Sequence, residues 1–274
     1  MDNTTVHPKS QDLAHLIDLF LFKGPPINED TEREVQILVN HGYVVGFSPS
    51  RLQPVWAAYR VAGADQDVDY DRPHVYYADD RMPAEHRVGP ETFGKHDNVQ
   101  YHVGHMVPNE AINRQFGRLA QLETFFMSNM SPQQGSLNTG VWLALENAIR
   151  NIEDTPDKDH VWVVAGPIFG DAPATIVRPN GLEVPIPEEY YCITIDPFRY
   201  PWNRQSNVDV ACFRFPQNAD RTKPLSDFLV ELSEIEDSTK LKLFPGWDHD
   251  AGESVGVEGI DSLWTRHRLL RQIT

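Results

Sequence analysis

The sequence has little of what marks secreted, membrane or fibrous proteins. Its 274 residues include only two cysteines, Cys192 and Cys212, which excludes a disulfide scaffold; both lie in apolar runs, so buried free thiols are favoured over the single possible bridge. The longest apolar stretch near the start, Leu13 to Phe22, contains His15 and Asp18 and is too short to span a bilayer. No basic leader region or small-residue cleavage site is visible. We expect no membrane association and a cytoplasmic location, unless a leader was trimmed from the chain.

Basic residues are also scarce. Lys and Arg number 24 against 40 Asp and Glu, a net charge of -16, which argues against a general nucleic-acid coat protein. The charge is unevenly distributed: the stretch from Tyr101 to Arg150 is neutral, whereas Leu225 to Asp261 carries ten carboxylates against two lysines. We expect the acidic segment to be a solvated face.

No linker divides the chain. The 21 prolines are scattered, and 40% of the residues are hydrophobic, which is typical of one large globular domain with elaborations.

Short apolar runs bounded by turn residues predict strands in most of the chain. Residues 42–47 and 55–61 form a predicted hairpin, and 161–165, 190–195 and 208–215 are further predicted strands. The segment 119–126 leads into 127–132, which has the character of a strand ending in a turn. Helices are predicted at 13–22, 136–150 and 225–235. Strands interrupted by a few helices, without regular alternation, favour an α+β fold with a mainly antiparallel central sheet and flanking helices.

The neutral stretch contains the residues with the most distinctive chemistry. In the helix predicted from Ser136, which is a possible cap, Asn138 and Glu146 are eight positions apart and lie on neighbouring parts of one face, so both can look toward His105. An amide oxygen suits a hydrated Mg²⁺, and a neutral imidazole suits a general base. Trp142 is expected to pack in the core. The pair His102 and His105 also allows a zinc site, although no cysteine or carboxylate cluster accompanies it.

Several segments, taken in order, resemble one family. They are Gly104-His105-Met-Val-Pro108, Thr124 to Gln133, and Leu137-Asn138-Thr-Gly-Val-Trp142 with Glu146, supported by 43–60, Gly166 to Phe169, Val184 to Tyr190 and the helix near Phe228. This order resembles the DNA/RNA non-specific endonucleases of the ββα-metal, or His-Me finger, type. A series of weak matches in the right order is more specific than any single motif.

The resemblance implies a function and a role for each matched residue. His105 stands at the position of the general base, Asn138 at that of the Mg²⁺ ligand, and Glu146 at that of an acidic residue contacting the metal's water shell. Mn²⁺ or another divalent metal is an alternative to Mg²⁺. The implied reaction is hydrolysis of DNA and RNA to 5′-phosphate and 3′-hydroxyl ends.

The resemblance also implies an arginine that binds the scissile phosphate. Arg72 is the candidate, with Arg81 or Arg87 as alternatives.

Two of the implied roles have a structural alternative. Glu146 could instead pair with Arg150, four positions further along the helix, and Asn138 could instead be a helix cap.

The chain departs from the family motif Asp-Arg-Gly-His. His102 and Val103 stand where the family has the acid and the arginine. Loss of the arginine removes a cationic donor, and Arg114 or Arg118 could replace it in substrate binding. The imidazole of His102, if it lies within reach of the cation, favours a transition metal over Mg²⁺. A second hypothesis is therefore a degenerate relative that binds nucleic acid or a protein partner without cutting, and a third is a phosphodiesterase for small nucleotides.

The resemblance covers about Tyr43 to Phe244. It implies an N-terminal helical extension (1–40), a ββα-metal nuclease domain (41–246) and a C-terminal extension (247–274). A nuclease inside a cell needs restraint, so we expect an inhibitor protein, an activating signal or export by another route. A homodimer is also expected.

Overall fold

The computed structural model describes residues 2–64, 70–89, 93–154, 160–197, 199–202, 204, 207–247, 267, 269 and 273. Their strands are β1 (Thr4–Val6), β2 (Ile27–Asn28), β3 (Val35–Val39), β4 (Val44–Ser48), β5 (Gln53–Val61), β6 (Gly94–His96), β7 (Val99–His105), β8 (Met130–Gln134), β9 (Val161–Ile168), β10 (Thr175–Val177), β11 (Glu183–Pro185), β12 (Glu189–Asp196), β13 (Asp209–Pro216), β14 (Leu229–Val230) and β15 (Leu241–Lys242). The α-helices are α1 (Ile17–Phe20), α2 (Asn109–Glu123), α3 (Trp142–Arg150) and α4 (Leu232–Thr239). Among these helices, none has both the length and the apolar character needed to cross a bilayer.

An eight-stranded sheet forms the centre of the molecule. Its strand order is β1-β3-β4-β5-β9-β12-β13-β14, and the pairs are antiparallel apart from β1 with β3. The predicted hairpin is β4 and β5, with a register shift between Gly46 and Phe47. The expected α+β fold with a mainly antiparallel sheet is confirmed.

The central strands bury both faces of the sheet. In β9, Val163 and Ala165 belong to one core, and Trp162 and Val164 belong to the other. Helices α2 and α3 contribute to the first core, and α1 and α4 contribute to the second. Because both faces are covered, these strands are near-continuous apolar runs, which made them recognisable in the sequence.

A smaller sheet carries the motif expected to hold the site. Strands β6, β7 and β8 form this three-stranded antiparallel sheet. Helix α2 lies between β7 and β8 in the chain, and α3 follows β8 after a turn with π-helical geometry at Leu137–Val141. Two antiparallel strands followed by a helix are the expected ββα arrangement.

The segment expected to lead into a strand at 127–132 is only partly extended. Residues 119–123 are the last five residues of α2, Met127–Asn129 form a 3₁₀ turn, and the strand itself is β8, which begins at Met130. Helix α2 buries the polar side chains of Asn113 and Gln121 and is kinked at Gly117, whose φ is +79°. Both features interrupt the apolar spacing by which an amphipathic helix is recognised.

The N-terminal segment is more than a helical extension. Within residues 1–40, β1 and β3 join the central sheet, and the helical part is a 3₁₀ segment (Pro8–Leu16) followed by α1. The predicted helix at 13–22 therefore ends at Phe20. Similarly, the helix predicted at 225–235 is a 3₁₀ turn (Leu225–Phe228) followed by β14 and α4.

The remaining expectations concern single residues and the C-terminal segment. Cys192 and Cys212 are buried free thiols, as favoured by the sequence. In the expected C-terminal extension, His267 places its imidazole Nε2 3.1 Å from Thr194 Oγ1, and Leu269 is buried in the first core. Part of the acidic segment, residues 248–261, lies outside the described residues.

A buried carboxyl joins α2 to the chain that follows α3. Glu153 is 1% exposed, and its Oε2 lies 3.5 Å from Nη1 of Arg114, which also contacts Oδ1 of Asp154 at 2.8 Å. Burial raises the pKa of Glu153 to about 8, against the opposing effect of Arg114 and Arg150. The folded state therefore holds this proton over a pH range in which the unfolded chain releases it.

This difference predicts a pH dependence of stability. Between pH 5 and 8 the unfolded state ionises Glu153 and the folded state does not, so the free energy of unfolding falls as pH rises. The Glu153→Gln variant lacks this titration, so we expect its free energy of unfolding, relative to that of wild type, to increase by roughly 3 to 4 kcal/mol between pH 5 and pH 8. Urea unfolding at both pH values measures this, with Asp154→Asn as the control; an equal difference at pH 5 and pH 8 contradicts it.

Candidate active site

The β7–β8 pairing brings the predicted site residues together. His105, the last residue of β7, is paired with Met130, and Tyr101 is paired with Gln134 at the other end. Asn138 follows in the turn before α3, and Glu146 lies two turns further along that helix. The strand ladder thus sets the distance between the histidine and the helix.

Four of the predicted residues line one cavity of about 210 Å³: His105, Asn138, Glu146 and Arg72. Its other lining residues are Tyr76, Val103, Pro108, Asn109, Glu110, Ala111, Thr139, Leu143, Asn147 and Arg150. The prediction that Asn138 and Glu146 look toward His105 is supported by this common cavity.

His105 is sheltered but keeps a nitrogen free. Its side chain packs edge-on against Phe125, with ring centroids 5.0 Å apart, and lies 5.9 Å from the ring of Tyr76. Within the described part of the chain, its buried Nε2 has no hydrogen-bond partner. Burial, with a further contribution from the charge of Arg72, lowers the pKa of His105 to about 3. The imidazole is therefore neutral at physiological pH, and its lone pair is available to accept a proton.

Two neighbours hold the end of β7 in place. A Cβ at Gly104 would collide with the side chain of Gln133, so only glycine allows this close approach. The fully buried Asn129 then fastens the loop after His105. Its Oδ1 accepts from the Val107 N–H at 3.0 Å, its Nδ2 donates to the carbonyls of Val107 and Thr124 at 3.0 and 2.9 Å, and its own carbonyl accepts from the Met106 N–H at 3.0 Å. Nothing in the sequence points to Asn129, because its role depends on hydrogen bonds to backbone groups.

Glu146 is bonded within its own helix. The indole Nε1 of Trp142 donates to Glu146 Oε1 at 2.9 Å, one turn earlier. Burial raises the pKa of Glu146 to about 8, against the opposing effects of Trp142 and Arg72. Trp142 packs in the core as predicted. The alternative pairing of Glu146 with Arg150 is not seen: Arg150 Nη2 lies 3.4 Å from Asn147 Oδ1.

Asn138 faces the cavity from the π-helical turn. Its Nδ2 lies 3.3 Å from His102 Nδ1, so it is not the helix cap that the alternative interpretation required. Ser136, the possible cap, makes no capping bond; its Oγ lies 3.4 Å from the Gln217 carbonyl.

Arg72 is held at the cavity through its neighbours in the chain. The backbone of Tyr70 exchanges two hydrogen bonds with the buried Asn113 side chain, at 3.1 and 3.2 Å, and its carbonyl also accepts from Gln121 Nε2 at 3.1 Å. Arg118 Nη1 donates to the Asp71 carbonyl at 2.6 Å. The Arg72 guanidinium lies 5.2 Å from the Phe125 ring centroid, and its Nη1 lies 3.9 Å from Glu110 Oε1.

The other candidate arginines lie elsewhere. Arg114 pairs with Glu153 and Asp154, and Arg118 supports the segment before Arg72; neither lines the cavity. Arg81 is engaged by Asp79 at 2.7 Å, and Arg87 donates to the Met82 carbonyl at 2.9 Å. Of the alternatives considered for the phosphate contact, only Arg72 lines this cavity. Arg150, which the sequence analysis considered only as a partner of Glu146, supplies a second guanidinium there.

The donor set is compatible with a hard, hydrated cation. Among the described residues, no cluster of three or more His, Cys, Asp or Glu side chains could hold a metal. His102 and His105 alternate across β7, and only His105 lines the cavity, so the zinc pair is not formed. Asn138 Oδ1 and the Glu146 carboxyl are oxygen donors on one cavity wall, which suits a cation that keeps several waters.

Comparisons with known proteins show which family and which fold this chain resembles. A family model described as DNA/RNA non-specific endonuclease matches residues 27–250. The human mitochondrial nuclease EXOG is 28% identical over 232 residues, covering 80% of this chain, and the Serratia marcescens nuclease is 25% identical over 229 residues, covering 80% of this chain and 78% of that protein. A solved structure of the EndoG/EndoGI complex matches with a TM-score of 0.61 at 20% identity, over 77% of this chain and 86% of that one, which supports the fold.

The chain does not span the full length of all these relatives. It covers 61% of EXOG from Xenopus laevis and 59% of human EXOG.

The environment of Asn129 generates a stability prediction. Asn129→Ala leaves the Val107 N–H and the carbonyls of Val107 and Thr124 without their partner, so we expect the free energy of unfolding to fall by about 2 to 4 kcal/mol. Urea unfolding measures it, with Asn147→Ala, an exposed asparagine of the cavity rim, as the matched control. Equal stability of the two variants contradicts the role given to Asn129.

Proposed function

Because the chain belongs to the DNA/RNA non-specific endonuclease family, we propose that it is a metal-dependent, sugar-non-specific endonuclease that hydrolyses phosphodiester bonds of DNA and RNA. The observation that carries the proposal is the single cavity in which a neutral histidine, an amide oxygen, a carboxyl and two arginines converge. These are the groups that hydrolysis of a phosphodiester requires: a base, oxygen ligands for a cation, and positive charge for the phosphate.

His105 is the proposed general base. Its unpartnered Nε2 accepts a proton from a water molecule, whose oxygen attacks phosphorus in line with the 3′ oxygen. The bond to the 3′ oxygen breaks and this oxygen takes a proton from a solvent water molecule, which leaves a 5′-phosphate and a 3′-hydroxyl. The charge of Arg72 is one of two causes that lower the pKa of His105. A bound phosphate neutralises that charge and so makes His105 a stronger base when substrate is present.

Asn138 and Glu146 are the proposed holders of the cation. Mg²⁺, or Mn²⁺ in its place, supplies charge neutralisation at the phosphate and the leaving oxygen when bound. Asn138 offers its amide oxygen, and Glu146 offers its carboxyl to the waters around the cation. The hydrogen bond from Trp142 fixes the orientation of that carboxyl.

Arg72 and Arg150 are the proposed phosphate contacts. A guanidinium offers forked, charge-assisted hydrogen bonds to a phosphate. In a chain of net charge -16, long-range attraction of a polyanion is weak, so we assign binding to these local contacts. Arg118 holds the segment before Arg72 from outside the cavity, and Arg114 is paired with Glu153 and Asp154.

Val103 favours one alternative function. It lines the cavity at the position where the family motif has an arginine. A site that lacks this positively charged side chain could bind nucleic acid, or a protein partner, without cutting it. A wild-type protein that binds DNA or RNA and cleaves neither would support this alternative.

The proposal also includes partners and location. One solved structure that this chain resembles is the EndoG/EndoGI complex, described as showing the mechanism of EndoG inhibition, which supports a protein inhibitor for this chain as well. An activating signal and a homodimer stay predictions. The EXOG relatives are named as mitochondrial, so a cytoplasmic location is a prediction without support from the comparisons.

The role of His105 is tested by substitution. His105→Ala removes the base and is expected to lower the rate of plasmid DNA and RNA cleavage with Mg²⁺ by about 10²- to 10⁴-fold. Circular dichroism verifies folding, and His74→Ala, an exposed histidine near Arg72, is the control. Cleavage by His105→Ala at the wild-type rate contradicts the proposed mechanism.

The role of Arg72 is tested against a matched arginine. Arg72→Ala is expected to lower kcat/KM by about 10- to 100-fold, since it removes charge-assisted bonds to the phosphate. Arg87→Ala, which lies outside the cavity, is expected to change little. A similar effect of both substitutions shows that Arg72 acts only through the overall charge.

A further inference from the structure

His102 stands beside the proposed metal ligand, although it lies outside the cavity. Its Nδ1 is 3.3 Å from Asn138 Nδ2. The family motif has an acidic residue at this position, whereas this chain has an imidazole. Since an amide N–H only donates, the imidazole Nδ1 must accept this bond, and its own proton must lie on Nε2.

The residues around His102 leave space for its ring, and they give the Asn138 side chain few other hydrogen-bond partners. A Cβ at Gly135 would lie 3.1 Å from His102 Nε2, so glycine makes space for the ring. Asn138 sits in the π-helical turn, in which Gly140 has non-helical φ and ψ of -112° and -117°. Arg221 Nη2 donates to Thr139 Oγ1 at 3.3 Å, and Thr139 Oγ1 donates to the Gly135 carbonyl at 2.7 Å, so the turn is held by neighbours other than Asn138. The side chain of Asn138 has His102 as its hydrogen-bond partner among the described residues.

The bond determines which end of the amide faces the cavity. Asn138 lines the cavity together with His105 and Glu146. With its nitrogen turned to His102, its oxygen is left as the group that a cation can contact. If the acceptor is lost, the amide is free to rotate by half a turn and to present N–H groups, which repel a cation.

We propose that His102 is a positioning residue that turns the oxygen of Asn138 toward a divalent cation in the cavity. This inference rests on the proposed function, because it takes Asn138 to be the cation ligand. The imidazole replaces the acid of the family motif as a neutral acceptor. It keeps the orientation of the amide without adding negative charge, so Glu146 is the one carboxyl of the proposed ligand pair.

Substitution of His102 tests the position of the acceptor atom. In His102→Asn the amide oxygen takes the place of Nδ1, whereas in His102→Gln it takes the place of Nε2 and points away from Asn138. With Mn²⁺ alone and no nucleic acid, free Mn²⁺ measured by electron paramagnetic resonance gives the affinity of the full chain. We expect His102→Gln and His102→Ala to bind Mn²⁺ about tenfold more weakly than wild type, and His102→Asn to stay within about twofold of it.

A second measurement examines the bond itself. In protein labelled with ¹⁵N, a scalar coupling between Asn138 Nδ2 and His102 Nδ1 across the hydrogen bond is expected in wild type without metal. Absence of the coupling overturns the proposed geometry, whatever the affinities are.

The outcomes separate this inference from the proposed function. If His102→Gln and His102→Ala bind Mn²⁺ as tightly as wild type does, the positioning role is contradicted and the proposed metal site is not. Wild type that does not bind Mn²⁺ contradicts the metal site, and the positioning role with it. Equal weakening in His102→Asn and His102→Gln also overturns the inference, because loss of packing alone would produce it.

Discussion

The register between β7 and β8 is the constraint on which the site depends. The side chains of a strand alternate between its two faces, so a slip of one residue would carry His105 out of the cavity and bring in Gly104. The register is held where it matters: Gly104 allows Gln133 to pack against the strand, and Asn129 fastens the loop beyond His105. The turn and helix that follow β8 then bring Asn138 and Glu146 to the same cavity.

The electrostatics of the site follow from its shelter. Burial keeps His105 neutral and favours the protonated form of Glu146, while Arg72 and Arg150 place positive charge at the same cavity. Much of the excess negative charge of the protein lies in another part of the chain, between Leu225 and Asp261. An acidic protein can therefore still present a local site for a phosphate, with recognition carried by short-range contacts.

The extent to which the sequence predicted the structure differs between the site and its supports. His105, Asn138, Glu146 and Arg72 were predicted from the chemistry of their side chains and the order of the motifs, and the four residues line one cavity. Helix α2 was missed because it buries Asn113 and Gln121, which hold the segment before Arg72. Arg114 and Arg118 were chosen by charge, but ion pairing and backbone contacts, which one sequence cannot place, direct them elsewhere.

The central claim is that this cavity cuts nucleic acid with the help of a divalent metal. The most direct measurement is incubation of the wild-type chain with plasmid DNA, single-stranded DNA and RNA, in the presence of Mg²⁺, Mn²⁺ or Co²⁺ and beside an EDTA control. We predict cleavage of both DNA and RNA that requires the metal and stops with EDTA. Absence of cleavage on every substrate with every metal would contradict the account and favour a protein that binds without cutting.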